Sequence, residues 1–411
     1  MSLAHEQQLE DEYVMHTFGR KPVELVSGHG MTVVDDEGTE YLDFIAGIGA
    51  CSLGHCHPAV TGAIAKQAET LIHVSNYYYI EHRGEVAKLL SDMLNEGAPE
   101  GEAAPWQTFF ANSGAEANEC AIKLARAYAR RRVEAEGGDG ESAPRVIVTV
   151  KKSFHGRTLA TLAATAQPAK QELFQPLPDG FVPTPQNDVA ALETLFKEQG
   201  DAICAVMLEP IQGESGVHPC SQEFMEAVRR LTAERGAVMI CDEVQCGIYR
   251  TGKPFGFQNL GVVPDIVSIA KGVASGFPCG MCAARGEVAA AFNPGDHGST
   301  FGGSNLAVAA AEATLSEIKK EDLAANAIEV GAYLREQLSA LPQVTEVRGV
   351  GLMLAADLAE DGKSAPDVVL DGLSAGLLLN ATGAHTLRFL PPLVCGKADV
   401  DALIEKLGGI L

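Results

Sequence analysis

Three charged residues in this sequence each stand at the end of an apolar run, and their types suit chemistry on a carbonyl compound. Lys271 follows the apolar run at 266–270, Asp242 follows AVMIC at 237–241, and Glu209 follows AICAVML at 202–208. An amine can attack a carbonyl or carry a proton, and carboxylates can tune or hold a cation beside it. An unpaired ammonium at the end of a buried run loses hydration, so Lys271 is costly there unless it has work to do. Continuous apolar runs of this length, separated by segments long enough for a helix, read as parallel strands with crossover helices. In open α/β sheets the carboxyl edge of the strands is where ligands bind. The expectation is one pocket holding Glu209, Asp242 and Lys271. The alternative is three unrelated strand-end charges at the surface, and their occurrence in series favours the pocket.

The elements that must position these groups are legible around them. A short strand at 106–110 runs into Asn112-Ser113-Gly114-Ala115-Glu116 and then a helix to about residue 136. Such a small-residue turn leaves first-turn amides unpaired and suits a phosphate. The same residues would also make a capping box, with Ser113 at the N-cap and Glu116 three positions on. A strand at 146–150 leads to Phe154-His155-Gly156-Arg157, where Phe154 offers a flat face and Arg157 either a bidentate carboxylate clamp or a solvated loop arginine. A lysine facing a carboxylate across a pocket with a phosphate cup is what pyridoxal phosphate requires. Lys271 would bond to its aldehyde, Asp242 would keep its pyridine nitrogen protonated, and helix-terminus amides would hold its phosphate. Once displaced by a substrate amine, Lys271 could carry a proton between substrate carbon and cofactor carbon.

At 411 residues the chain is longer than one typical domain. A formal charge of −23 is repelled by nucleic acid and by anionic membranes, leaving a small anionic substrate to be met by local arginines. No stretch approaches the ~20 uninterrupted apolar residues of a membrane helix, and the acidic start MSLAHEQQLEDEYV lacks a signal-peptide pattern. A cytoplasmic protein with no membrane or nucleic-acid partner is expected. Of the ten cysteines, Cys120, Cys204 and Cys241 sit in apolar runs and read as small hydrophobes of a reducing compartment. Cys279 and Cys282 have redox spacing but read as part of a strand, and His55-Cys56-His57-Pro58 reads as a turn before a helix, so no metal site is expected. The remaining pattern predicts a helix over 1–20, a hairpin of 31–34 with 40–44, helices over 58–73 and 221–235, and a polar glycine loop at 295–303 before an alanine-rich helix. Beyond it come helices over 323–341 and 368–375 and strands at 344–347, 352–356 and 386–389.

The motifs NSGAEAN (112–118), FHGRT (154–158), EPIQGE (209–214), DEVQ (242–245), the lysine of IAKG and HGSTFGG (297–303) occur here in one order. In order and spacing they resemble the class III pyridoxal-phosphate aminotransferases of fold type I, and the resemblance runs from about Pro22 to the end. It implies an α/β fold: a large cofactor-binding domain over 58–305, with a mostly parallel sheet of the seven-stranded type flanked by helices, and a smaller α/β domain built from 1–57 and 306–411. It further implies that Ser113, Gly114 and Ala115 hold the phosphate, Phe154 stacks on the ring, Asp242 pairs with the pyridine nitrogen, Gln245 contacts the ring oxygen and Lys271 is the bonding lysine. Thr300 would reach the phosphate of a neighbouring subunit and Ser299 would lie beside the substrate, which implies a homodimer with shared active sites.

Within the family the FHGRT and LRFLPPL forms are most similar to the acetylornithine branch. The implied reaction moves the terminal amino group of N2-acetyl-L-ornithine to 2-oxoglutarate, giving N-acetylglutamate 5-semialdehyde and glutamate, in arginine biosynthesis. Arg157 would take the α-carboxylate of the acylated ornithine, and Arg388 that of glutamate or 2-oxoglutarate after release from Glu214. Ornithine, succinylornithine, succinyldiaminopimelate and 4-aminobutyrate are alternative amines on the same scaffold, and an aminomutase is an alternative reaction. The chain departs from the family in having Ser304-Asn305 after Gly302-Gly303, and Cys246 where a threonine is usual; both bear on fine specificity.

Overall fold

The computed structural model describes residues 2–411. Three short strands open the chain: β1 Leu25–His29, β2 Thr32–Asp35 and β3 Glu40–Asp43. β4 Trp106–Ala111, β5 Val146–Val150, β6 Phe181–Thr184 and β7 Ile203–Leu208 follow, separated by helices. A two-strand ribbon, β8 Ile211–Gln212 with β9 His218–Pro219, precedes β10 Val238–Asp242, β11 Ile266–Ile269 and β12 Gly280–Arg285. The last third adds β13 Val344–Val350, β14 Met353–Leu358, β15 Leu377–Leu378, β16 Asn380–Ala381 and β17 Thr386–Phe389.

The central sheet has seven strands in the order β4-β12-β11-β10-β7-β5-β6. It is parallel apart from β12, which runs antiparallel to both β11 and β4. Every residue of β7, β10 and β11 is buried, so these strands are apolar apart from the buried Ser268 and the terminal Asp242 and show no half-polar alternation. The period of two survives in what each face touches. In β10, Val238 and Ile240 belong to the cluster containing Ala121, Leu124 and Ala125 of the helix Gly114–Ala135, while Met239 and Cys241 belong to that containing Phe224 and Val228 of the helix Gln222–Arg235. A sheet covered on both faces by helices leaves its carboxyl edge as the open place for a ligand.

Two smaller sheets flank the first. β13-β14-β17-β16 is antiparallel. The other, β1-β2-β3-β15, joins the two ends of the chain, because Leu377 and Leu378 of β15 pair in parallel with Leu42 and Asp43 of β3. The helix predicted over 1–20 is confined to Leu3–Tyr13, and none of its residues is buried. The alanine-rich helix Asn305–Lys320 packs chiefly on the helix Pro58–Thr70 and on the turn Lys271–Ala274. All ten cysteines are free, with Cys282 inside β12.

Candidate active site

β7, β10 and β11 end side by side, and their parallel register delivers Glu209, Asp242 and Lys271 to one edge. All three line a cavity of about 390 Å³, together with Ser113, Gly114, Ala115, Asn118, Phe154, His155, Arg157, Glu214 and Gln245. This is the size of a small-molecule site. Lys271 opens a 3-10 turn, Lys271–Ala274, with φ of 49°. Left-handed backbone is unfavourable for a residue with a Cβ, so the packing of this turn holds a strained residue at the place where the amine is needed. The amine has no hydrogen-bond or ion-pair partner among the described residues. Burial draws its pKa below the ordinary lysine value, against the opposing pull of Glu214 and Asp242.

Asp242 is fixed by three donors. Its Oδ2 accepts from Asn118 Nδ2 at 2.7 Å and from His155 Nδ1 at 2.8 Å, and its Oδ1 accepts from the Val244 amide at 3.0 Å. The contact requires the His155 proton on Nδ1. Burial works against a charged His155 ring, but the Asp242 hydrogen bond and charge prevail and raise its pKa. Asn118 also donates to the His155 carbonyl at 2.7 Å, tying helix to loop. Glu209 lies behind this group and accepts from the Phe154 amide at 2.8 Å. Burial pushes its pKa up to about 7, helped by the Asp242 charge and opposed by His155. Asn118 and His155 were not singled out by sequence reasoning. The available signal was a polar residue four positions after Gly114, on the side of the helix that faces the sheet edge.

Ser113 caps the helix Gly114–Ala135, its hydroxyl accepting from the Glu116 amide, but the Glu116 carboxylate accepts from the Asn112 amide and not from that of Ser113, so the N-cap forms without the reciprocal bond of a capping box. The cap leaves the Gly114 and Ala115 amides without protein acceptors among the described residues, at the positive end of a 22-residue helix. The cup is closely built. A Cβ on Gly280 would lie 2.2 Å from the Ser113 carbonyl, and one on Gly114 would lie 2.8 Å from Val244. Phe154 presents its ring to the cavity, with the exposed Arg157 guanidinium 5.5 Å from the ring centroid. An anion cup, a flat face, an unpaired amine and a fixed carboxylate fit pyridoxal phosphate.

A second group lies against the cavity wall. Arg388, only 2% exposed, donates from Nη1 to Glu214 Oε1 at 2.7 Å and to Gln245 Oε1 at 3.1 Å, while Gln245 Nε2 donates to Glu214 Oε1 at 3.0 Å. Burial opposes the Glu214 charge, but Arg388 outweighs it and holds the Glu214 carboxyl below its usual range. Gln245 passes so close to Gly213 that a Cβ there would lie 1.7 Å from its Oε1. Ser299 and Thr300 are not brought into this cavity. Ser299 Oγ receives the Asn112 side chain at 3.2 Å and the Gly302 amide at 3.0 Å, and it faces a separate groove with Asn76, Tyr79 and Arg83. Thr300 is exposed.

The sequence model of the family "Aminotransferase class-III" matches residues 15–411. The chain belongs to the class-III aminotransferases. Relatives similar over nearly their whole length include the acetylornithine aminotransferase of Caldanaerobacter subterraneus subsp. tengcongensis, 46% identical with 98% of each chain covered. The acetylornithine aminotransferase of Methanocaldococcus jannaschii is 45% identical, with 97% of this chain and 96% of that protein covered. Among solved structures, the aminotransferase is similar to the ornithine aminotransferase of Toxoplasma gondii, with TM-score 0.90 and 30% identity over 100% of this chain and 95% of that one. A second structure of that enzyme, with TM-score 0.89 and 31% identity over 100% of this chain and 94% of that one, has partial occupancy of pyridoxal phosphate at its active site. The aminotransferase therefore shares the pyridoxal-phosphate fold, and its cofactor is pyridoxal phosphate.

Proposed function

We propose that this aminotransferase moves the terminal amino group of N2-acetyl-L-ornithine to 2-oxoglutarate, yielding N-acetylglutamate 5-semialdehyde and glutamate. The observation that carries the reaction type is the unpaired Lys271 amine sharing one cavity with the triply bonded Asp242 and the open amides of Gly114 and Ala115. Relatives at 39–46% identity named acetylornithine aminotransferase support the choice of amine. Bound pyridoxal phosphate supplies an electron sink for charge developing at the substrate carbon.

The protein's own parts divide the remaining work. Ser113, Gly114 and Ala115 would hold the phosphate end, Phe154 would supply the stacking face, and Gln245, which lines the same cavity, would contact the ring oxygen. Asp242, oriented by hydrogen bonds from Asn118, His155 and the Val244 amide, would face the pyridine nitrogen. Lys271, with its proton affinity lowered by burial, is a base able to take and return a proton at the carbon bearing the amine. Arg157 at the rim meets the α-carboxylate of the amino donor. Arg388 meets that of the dicarboxylate when Glu214 turns away, so two substrates of different charge use one cavity in turn.

We further propose a homodimer with shared active sites. Tyr77, Tyr79 and Phe301, respectively 94%, 103% and 62% exposed, form an apolar surface beside the Ser299 groove that suits a second copy. Ser299 would then flank the substrate and Thr300 the partner's phosphate. The proposed ligand-holding domain spans 58–305, with 1–57 and 306–411 forming the smaller domain, a division that the pairing of β15 with β3 supports. The reaction is assigned to arginine biosynthesis in the cytoplasm, a reducing compartment that suits ten free cysteines. The test is a two-substrate panel of N2-acetylornithine, ornithine and 4-aminobutyrate against 2-oxoglutarate, following the aldehyde product. N2-acetylornithine should give the highest kcat/KM, and a higher value for either other amine overturns the substrate choice.

A further inference from the structure

We infer that Asn380 is a positioning residue for the dicarboxylate half of the reaction: it grips Arg388 by the stem of its guanidinium so that both Nη atoms stay free to change partners. The inference rests on the reading of Arg388 given above. Asn380 lies in β16 directly opposite Arg388 in β17, and side chains at such paired positions leave the sheet on the same face. The short amide therefore reaches only the near part of the long one, and Asn380 Oδ1 accepts from Arg388 Nε at 3.0 Å.

The division of contacts is chemically specific. Glu214 and Gln245, at the other end of the guanidinium, both bond Nη1. A carboxylate that binds end-on uses the two Nη atoms and makes no demand on Nε. The Asn380 bond can thus persist through an exchange of Glu214 for a substrate carboxylate, while the Glu214 bond cannot. When Glu214 leaves, Gln245 on Nη1 would otherwise be the only side chain holding the buried cation, a single contact about which it could turn. A neutral acceptor on Nε fixes its orientation in advance without consuming its charge, which lowers the ordering cost of binding. An acidic residue at 380 would hold the arginine equally well but would neutralise it, as Glu214 does.

Two variants separate these properties. Asn380→Leu removes the acceptor at similar volume, and Asn380→Asp keeps an acceptor and adds charge. Glutarate is the probe, titrated calorimetrically into the pyridoxal-phosphate-loaded protein and into the apoprotein, with the thermal midpoint of each apoprotein recorded to verify folding. Both variants should bind glutarate about tenfold more weakly than the parent in both forms. Both should show a raised KM for 2-oxoglutarate, with the KM for N2-acetylornithine unchanged. Equal losses for both substrates would make Asn380 merely structural and overturn the inference, as would an Asn380→Asp protein that binds glutarate as tightly as the parent. Arg388→Ala is the companion control. Loss of glutarate binding there with none in Asn380→Leu overturns this inference alone; unchanged binding in Arg388→Ala overturns the reading of Arg388 as well.

Discussion

Glu214→Gln tests the proposed switch between substrates, because it keeps the shape of the side chain and removes only the charge paired with Arg388. At the 2.7 Å separation of Glu214 Oε1 and Arg388 Nη1, Coulomb attraction at an effective dielectric constant of about 20 is about 6 kcal/mol. Most of that is offset by the desolvation of the buried Arg388, and Glu214, with 29% of its side chain exposed, is screened by water. A net cost of about 1.5 kcal/mol for opening the pair is the figure expected of one charge-assisted hydrogen bond in this setting. Removing it should tighten glutarate binding about tenfold. The variant should also leave Arg388 as a buried cation with neutral partners only, so its thermal midpoint should fall in the absence of glutarate and recover when glutarate is added. Calorimetric titration and scanning calorimetry on the same preparation read both effects. Unchanged or weaker glutarate binding in Glu214→Gln would refute the idea that this carboxylate guards Arg388.

Lys271→Met should abolish transamination and the cofactor attachment trapped by borohydride in the parent, and it should raise the stability of the apoprotein by about 1 kcal/mol, since an unpaired buried amine is replaced by an apolar chain. A trapped cofactor mapped to any other lysine of the parent would overturn the assignment. Glu209 predicts a pH dependence. Its carboxyl titrates near 7 in the fold against 4.5 in a free chain, so the native state binds that proton more tightly, and stability falls as pH rises from about 4.5 to about 7. The raised His155 acts in the same direction, its contribution being present below the free-histidine value of 6.5 and lost as pH passes its folded value. Glu209→Gln removes the first part. Denaturant midpoints should show the variant gaining on the parent between pH 5 and 8, by up to about 3 kcal/mol. A difference that stays flat with pH would count against the buried-carboxyl reading.

The residues that end strands were the legible part of the site. Glu209, Asp242 and Lys271 each interrupt an apolar run, and a parallel sheet turns such interruptions into neighbours. The supporting contacts were not legible, because they join segments whose separation no local pattern encodes. Asn118 meets Asp242 across 124 positions and His155 meets it across 87, while the meeting of Arg388 with Glu214 across 174 was expected from the family resemblance alone. Asn380 sits on a two-residue strand, too short for any periodicity to mark. The helix Arg83–Leu94 fell outside the sequence reading although Val86, Leu90, Met93 and Leu94 share helical spacing and are buried. β12 was read as a strand, but its reversed direction depends on the connection after Lys271 and not on its composition. The first helix ends at Tyr13, and burial does not mark that end, since the helix buries none of its residues and Met15 and Phe18 beyond it are exposed as well.

The pairing of β15 with β3 sets a timetable for synthesis. A nascent chain emerging from the ribosome releases its first hairpin almost at once, yet the strand that covers the free edge of β3 is among the last to appear. Arg388 follows that strand by ten positions, so the proposed grip on the dicarboxylate and the closure of the amino-terminal sheet would mature together at the end of translation. A chain released early keeps an open strand edge and lacks Arg388, which makes an unfinished product a candidate for degradation instead of a partly working enzyme.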